Sequence, residues 1–233
     1  MSEFSEEPKT SLFEVLVAVL LGLGALGGGW AGYQSSQWGG TATEDYGKAA
    51  TTATRAGTEF NHANAVVDRD MTLDIEAKEH IVTALLTKDE VVKLKDTTIA
   101  KYLYTQQMTK QGYGYLKYPA KYHSRKEEEY SKFTDEELAS NIDNELDEGY
   151  RAASVKPATD QFLEADKIFA EGQKVSSTST QFGLVGVFFT ITLFLGGIAL
   201  VLKSHIRWVF IGTGYLTLTY ALMKMISLPW YHA

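Results

Sequence analysis

Three apolar runs, each long enough to cross a bilayer, constrain this 233-residue chain more than any other feature. A helix needs about 20 mainly apolar residues to span ~30 Å of hydrocarbon. The first run extends from Leu12 to Tyr33, with Glu14 as its one charge. The second, Phe182 to Leu202, has no charge, and the third, Ile206 to Met223, has Arg207 at its entry and Lys224 just after it. The average composition hides this: 45% of residues are apolar and 22% charged, which would suit a soluble protein. The charge is segregated, however. Outside residues 41–180 the only basic residues are Lys9, Lys203, Arg207 and Lys224, and the only acidic ones Glu3, Glu6, Glu7 and Glu14. The reading is a mainly α membrane protein: an acidic leader (1–11), transmembrane helices at 12–38, 181–203 and 206–226, an extended helical, coiled-coil-like extramembrane domain at 39–180, and a tail at 227–233.

The leader is acidic rather than basic, and the first run ends in Trp30 and Tyr33, so it reads as an uncleaved anchor and not a signal peptide. Trp30, Tyr33 and Trp38 suit the bilayer interface as depth anchors. With three spans, the loop carrying Lys203 and Arg207 lies opposite the large domain. The positive-inside rule puts that loop in the cytoplasm and the domain outside it. Glu14 falls on the same side as this loop. It is expected either to pair with Lys203 and Arg207 or to sit at headgroup level.

Lipid is as apolar as leucine, so helices associate in it through close packing of small residues. Ala18, Gly22, Ala25, Gly29, Gly32 and Ser36 recur at spacings of three and four, forming one stripe on the first span. Gly24, Gly28 and Gly32 form a second. The contact could be with the other spans, a second copy or a different protein. The third span carries Gly212, Thr213, Gly214, Thr217, Thr219 and Tyr220, whose hydroxyls read as packing glue before pore lining.

In the extramembrane region, Gly39-Gly40 is expected to break the first helix, with Gln34 bonding the break and Thr41-x-x-Glu44 capping the next helix. That helix reaches about Leu86. A second is expected over Lys88–Lys110, then a loop at 111–119. Thr134-x-x-Glu137 is another capping box, and Pro157 is expected to open a helix that continues unbroken into the membrane. Residues 88–126 are basic and 127–148 acidic, which predicts one segment folding against the other. The six tyrosines between 102 and 122 read as loop packing with solvent-reaching hydroxyls.

Chemical signatures are sparse. There is no Cys, which excludes disulfides, thiolate metal sites and a Cys nucleophile. The formal net charge of −7 argues against a nucleic-acid partner. Glu59-Phe60-Asn61-His62 is a Glu-x-x-His motif on a predicted helix. Carboxylate-bridged di-iron bundles need two such motifs, and neither His80 nor His123 supplies the second. No phosphate loop or nucleophile elbow occurs, and no cofactor is expected.

Trp30-Ala31-Gly32-Tyr33-Gln34-Ser35-Ser36-Gln37-Trp38-Gly39-Gly40 resembles a group of uncharacterised bacterial membrane proteins. These close an N-terminal span with a Trp-x-x-Tyr-Gln-x-x-x-Trp-x-Gly stretch and have a helical middle and two late spans. Thr54-Arg55-Ala56-Gly57 and Ala170-Glu171-Gly172-Gln173 are similar to segments of that group, whereas 88–156 diverge. The resemblance implies this architecture in a bacterial inner membrane and no particular activity. The expected function is non-enzymatic assembly: a self-assembling scaffold or channel-like oligomer in membrane lipid. The alternative is an accessory subunit of a larger membrane complex, and a metal protein built on Glu59 and His62 comes third.

Overall fold

A computed structural model describes residues 11–124, 131–140 and 142–231. Helix dominates and no strand occurs among them. The elements are α1 (Leu12–Leu86), α2 (Glu90–Tyr102), a π-helical turn (Leu103–Gln107), α3 (Lys110–Tyr115), a 3-10 turn (Ala120–Tyr122), α4 (Asp135–Ser140), α5 (Glu148–Val201) and α6 (Ile206–Ser227). Helices α1, α5 and α6 are long and apolar enough to cross a membrane. The leader through residue 10 and the last two residues of the tail lie outside the described residues.

The chain forms two compact units, residues 11–49 with 166–231, and residues 50–165. The first is a three-helix membrane unit. Its cores gather Leu20, Ala31, Phe182, Val185, Phe189 and Leu218, and separately Phe13, Val17, Ala199 and Ile211. Gly39-Gly40 does not break α1, contrary to expectation, and Thr41 does not cap a new helix. Thr41 Oγ1 instead donates to the Gln37 carbonyl at 3.2 Å, and Glu44 pairs with Lys48. The reason is packing. Ser35 and Ser179 exchange hydroxyl-to-carbonyl hydrogen bonds of 2.9 and 2.8 Å. A Cβ at Gly39 would stand 3.2 Å from the Ser179 hydroxyl. Gly39 permits a close helix approach, and the neighbouring helix offsets the ~1 kcal/mol that glycine costs a helix.

The second unit packs the later half of α1, α2–α4 and the start of α5 around Val67, Ala77, Ile81, Tyr104, Leu116, Phe133 and Tyr150. Asp89 caps α2, accepting from the Val91 and Val92 N–H groups. α2 ends at Tyr102, short of the expected Lys110, and gives way to the π turn closed by Met108 N–H to Leu103 O at 3.0 Å. The expected loop at 111–119 is partly helical, because Thr109 caps α3 through the Gly112 N–H. Thr134 and Glu137 form the expected reciprocal box. The Thr134 N–H is the main influence holding the Glu137 carboxyl below its ordinary pKa.

Pro157 does not open α5. The helix starts nine residues earlier, where Asp147 accepts from the Tyr150 N–H. Pro157 and Ala153 lie on an exposed face, so the carbonyl that the proline leaves unbonded faces solvent. From there α5 runs unbroken to Val201.

Candidate functional site

The membrane unit uses one face of α1 for its own packing and leaves another bare. Phe13, Val17, Leu20, Gly24, Gly27, Ala31 and Gln34 are buried, a spacing of three and four that keeps them on one side. A Cβ on Gly27 would fall 2.3 Å from the Phe189 ring, and one on Gly24 2.9 Å from Leu193. α5 and α6 reciprocate: Gly196 meets Leu21 and Gly214 meets Leu20, each at 2.8 Å from an added Cβ. These are large-into-small contacts of the kind lipid favours. Of the second predicted stripe, Gly24 is buried, Gly28 half-buried and Gly32 exposed.

Ala18, Gly22, Ala25, Gly29, Gly32 and Ser36 are all exposed. An added Cβ at Gly22, Gly29 or Gly32 meets nothing within 4 Å. The small-residue stripe therefore makes no contact with the chain's other spans. On α6 the hydroxyls of Thr217 and Thr219 bond back to the preceding turn, and Tyr215 donates across to the Leu16 carbonyl at 2.9 Å.

The predicted interface anchors come together. Trp30 lies 5.5 Å from Tyr33 and 5.8 Å from Trp230, and Trp38 meets Tyr231 edge-on at 5.6 Å. Gln34 does not bond a helix break. Its Oε1 accepts the Tyr231 N–H at 2.7 Å, tying the segment after α6 to α1. Sequence reasoning missed this partner because no short-range pattern links positions 34 and 231.

Glu14 makes a capping box with Ser11 at the start of α1: the Ser11 N–H donates to Glu14 Oε2 and the Glu14 N–H to Ser11 Oγ. Neither Lys203 nor Arg207 comes within ion-pair distance of it. Arg207 lies over the Phe13 ring at 4.2 Å instead. The signal for the box, Ser11-x-x-Glu14, was present in the sequence.

In the second unit, Glu59 accepts from Arg55 at 3.2 Å and from the Gln161 amide, which occupies both its oxygens. Among the described residues no group of three or more His, Asp or Glu stands close enough to hold a metal ion. His62 lines a shallow cleft with Thr58, Ser154 and Pro157.

The polar chemistry of this unit lies elsewhere, in carboxylates that the helical pattern did not single out. Asp70 is fully buried and accepts from the Thr109 N–H at 3.1 Å, the Thr109 hydroxyl and the Tyr150 hydroxyl at 2.7 Å. A Cβ on Gly112 would stand 2.5 Å from Asp70 Oδ2, so α3 approaches this carboxylate through a bare backbone. One turn on, Asp74 accepts from Tyr104 Oη at 2.8 Å and pairs with Lys78 at 2.9 Å, while Lys78 also donates to the Asn144 carbonyl. His80 Nδ1 meets the buried Asp96 at 3.0 Å. Lys101 and Asp135 join the basic and acidic segments at 2.8 Å.

Tyr104, Tyr113, Tyr118 and Tyr122 are buried and their hydroxyls bond protein acceptors rather than solvent, contrary to expectation, whereas Tyr102 and Tyr115 are exposed as expected. Tyr118 donates to the Leu138 carbonyl, Tyr113 to that of Pro119 and Tyr122 to Glu137. Burial pushes the pKa of Tyr104, Tyr113, Tyr118 and Tyr150 upward, since a phenolate has no solvation there. These groups are bonded in closed pairs and read as a structural lock.

Compared with protein-family models, curated proteins and solved structures, the chain matches none of them.

Proposed function

We propose that this chain is a non-enzymatic integral membrane protein that acts by assembly, with the exposed small-residue face of α1 as the contact between copies. One observation carries the reading: Ala18, Gly22, Ala25, Gly29 and Gly32 lie on a single exposed face that the chain's own spans leave bare. Two such faces can approach closely in lipid, where a bare stripe of glycine gains little from acyl chains. Lys203 and Arg207 in the shortest loop support a cytoplasmic loop and an extracytoplasmic helical domain. The Trp30–Gly40 resemblance supports a bacterial inner membrane.

A second reading, an accessory subunit of a larger complex, is favoured by a separate observation. The turn between α1 and α2 exposes Leu85, Leu86, Val91 and Leu94, with Leu86 at 79%. Such an apolar patch outside the spans fits a foreign protein surface.

The test is the native mass of the full chain extracted in mild detergent, beside Gly22→Leu and Gly29→Leu. Self-assembly predicts an integer multiple of 25.8 kDa that falls to the single-chain mass in both variants. A wild-type chain that runs alone at the single-chain mass overturns both readings. Stoichiometric foreign polypeptides, retained in the glycine variants, establish the second.

A further inference from the structure

Within α1, at the interface end of the first apolar run, two buried donors lack an acceptor among the described residues. Gln34 is fully buried and its Oε1 takes the Tyr231 N–H at 2.7 Å. A backbone N–H can only donate, so the amide oxygen must face it and the amide nitrogen must point away. That nitrogen, Gln34 Nε2, has no hydrogen-bond partner, and neither has the buried Trp38 Nε1. Residues four apart stand one turn apart on the same side of a helix. Two N–H groups on one face therefore want an oxygen that the described residues do not supply. The cluster against which Trp38 packs, with Phe182, Val185, Met225 and Leu228, is apolar.

Depth says which oxygen is at hand. Trp30, Tyr33, Trp230 and Tyr231 surround this end of the span in aromatic contacts suited to headgroup level. Phosphate and ester oxygens are the abundant acceptors there. The cover is a strap without helix, Leu228–Tyr231, held by the Gln34 bond, by the Trp38–Tyr231 and Trp30–Trp230 contacts, and by Trp230 Nε1 donating to the Met225 carbonyl. The strap thus touches the side chains that carry both donors.

We propose that Gln34 Nε2 and Trp38 Nε1 form a two-donor site for a phospholipid headgroup oxygen, gated by the Leu228–Tyr231 strap. Both donors are neutral, so the site selects for an acceptor and not for lipid charge. It does not use the small-residue stripe and stands independently of assembly.

The test uses the full chain in nanodiscs and Trp38→Phe, which keeps an aromatic ring against Tyr231, removes the N–H and trims the indole to a single ring. Phospholipid retained per chain is read by native mass spectrometry after release into detergent. Occupancy below saturation is expected to fall about fivefold in Trp38→Phe, the loss of one net hydrogen bond. It should fall further with Gln34→Leu added, while the helicity of Trp38→Phe stays unchanged. Phosphatidylcholine and phosphatidylglycerol should be retained equally. The Trp38 indole N–H resonance, assigned by its absence in Trp38→Phe, should shift on adding phosphatidylcholine to delipidated protein. Equal retention by wild type and Trp38→Phe overturns the site. A strong preference for the anionic lipid overturns the neutral-donor account. The same indole shift with inorganic phosphate alone overturns the assignment to lipid.

Discussion

The membrane unit closes through glycine and bulky apolar side chains, whereas residues 50–165 close around buried carboxylates. In the first, Gly27 admits Phe189 and Gly214 admits Leu20. In the second, Asp70, Asp74 and Asp96 are buried and each is met by donors. The difference follows from solvent. Lipid gives apolar groups no reason to prefer protein, so shape must hold the helices together. Water gives apolar groups that reason, and the second unit has a core of tyrosines whose hydroxyls must then be satisfied. Asp70 and Asp74 are the acceptors that let Tyr150 and Tyr104 be buried.

The largest effect that would break this comparison is Asp70→Ala. It leaves the Tyr150 hydroxyl, the Thr109 hydroxyl and the Thr109 N–H without their acceptor. Stability of the 50–165 unit should fall by several kcal/mol, since each buried donor left unsatisfied costs about 1–3 kcal/mol. Urea unfolding followed by hydrogen exchange should show the loss in residues 50–165, with the membrane spans still protected.

Alkaline pH sharpens the same contrast. The buried tyrosines have raised pKa values in the fold and an ordinary value near 10 when unfolded. The stability they contribute is whole below pH ~10 and is lost as pH rises toward their folded values. Tyrosinate absorbance should therefore lag the ordinary titration and then appear together with loss of helix in this unit.

Gly27→Ala comes next and acts on the other unit. The added Cβ meets the stiff, fully buried Phe189 ring, and overpacking of this kind costs about 1–3 kcal/mol. Gly22→Ala, whose added Cβ meets nothing within 4 Å, should leave the melting temperature of the single chain unchanged. A destabilised Gly22→Ala chain at monomer concentrations would show that the two faces of α1 are not distinct.

The smallest effect belongs to Arg151→Ala. Its guanidinium bonds Asp68 and Asn64 at a partly exposed site, so about 1 kcal/mol or less is expected from denaturant midpoints of the second unit.

Much of the fold was legible because its cause is local. The three spans follow from run length, the α4 start from its capping box, and the unbroken α5 from the lack of a breaker after Pro157. The failures share one physical origin. Gly39-Gly40 looked like a break because glycine weakens an isolated helix, yet Ser179 lies across from it. Residues 111–119 looked like a loop because of their glycines, yet Gly112 is there to let α3 reach Asp70. Glu14 was weighed against distant cations, and its partner is the nearby Ser11. The stripe of small residues was legible as a packing face, but not that the chain's own helices would pass it by.

The sequence by itself determined which helices are long and apolar enough to cross a membrane, since that depends on the apolarity of successive residues. It determined the helical class for the same reason. Only the tertiary structure decided which face of α1 is used and which is bare, which carboxylates are buried, and that Gln34 meets Tyr231. Those outcomes depend on pairs such as Gln34 and Tyr231, 197 positions apart, brought together by packing that no local pattern encodes.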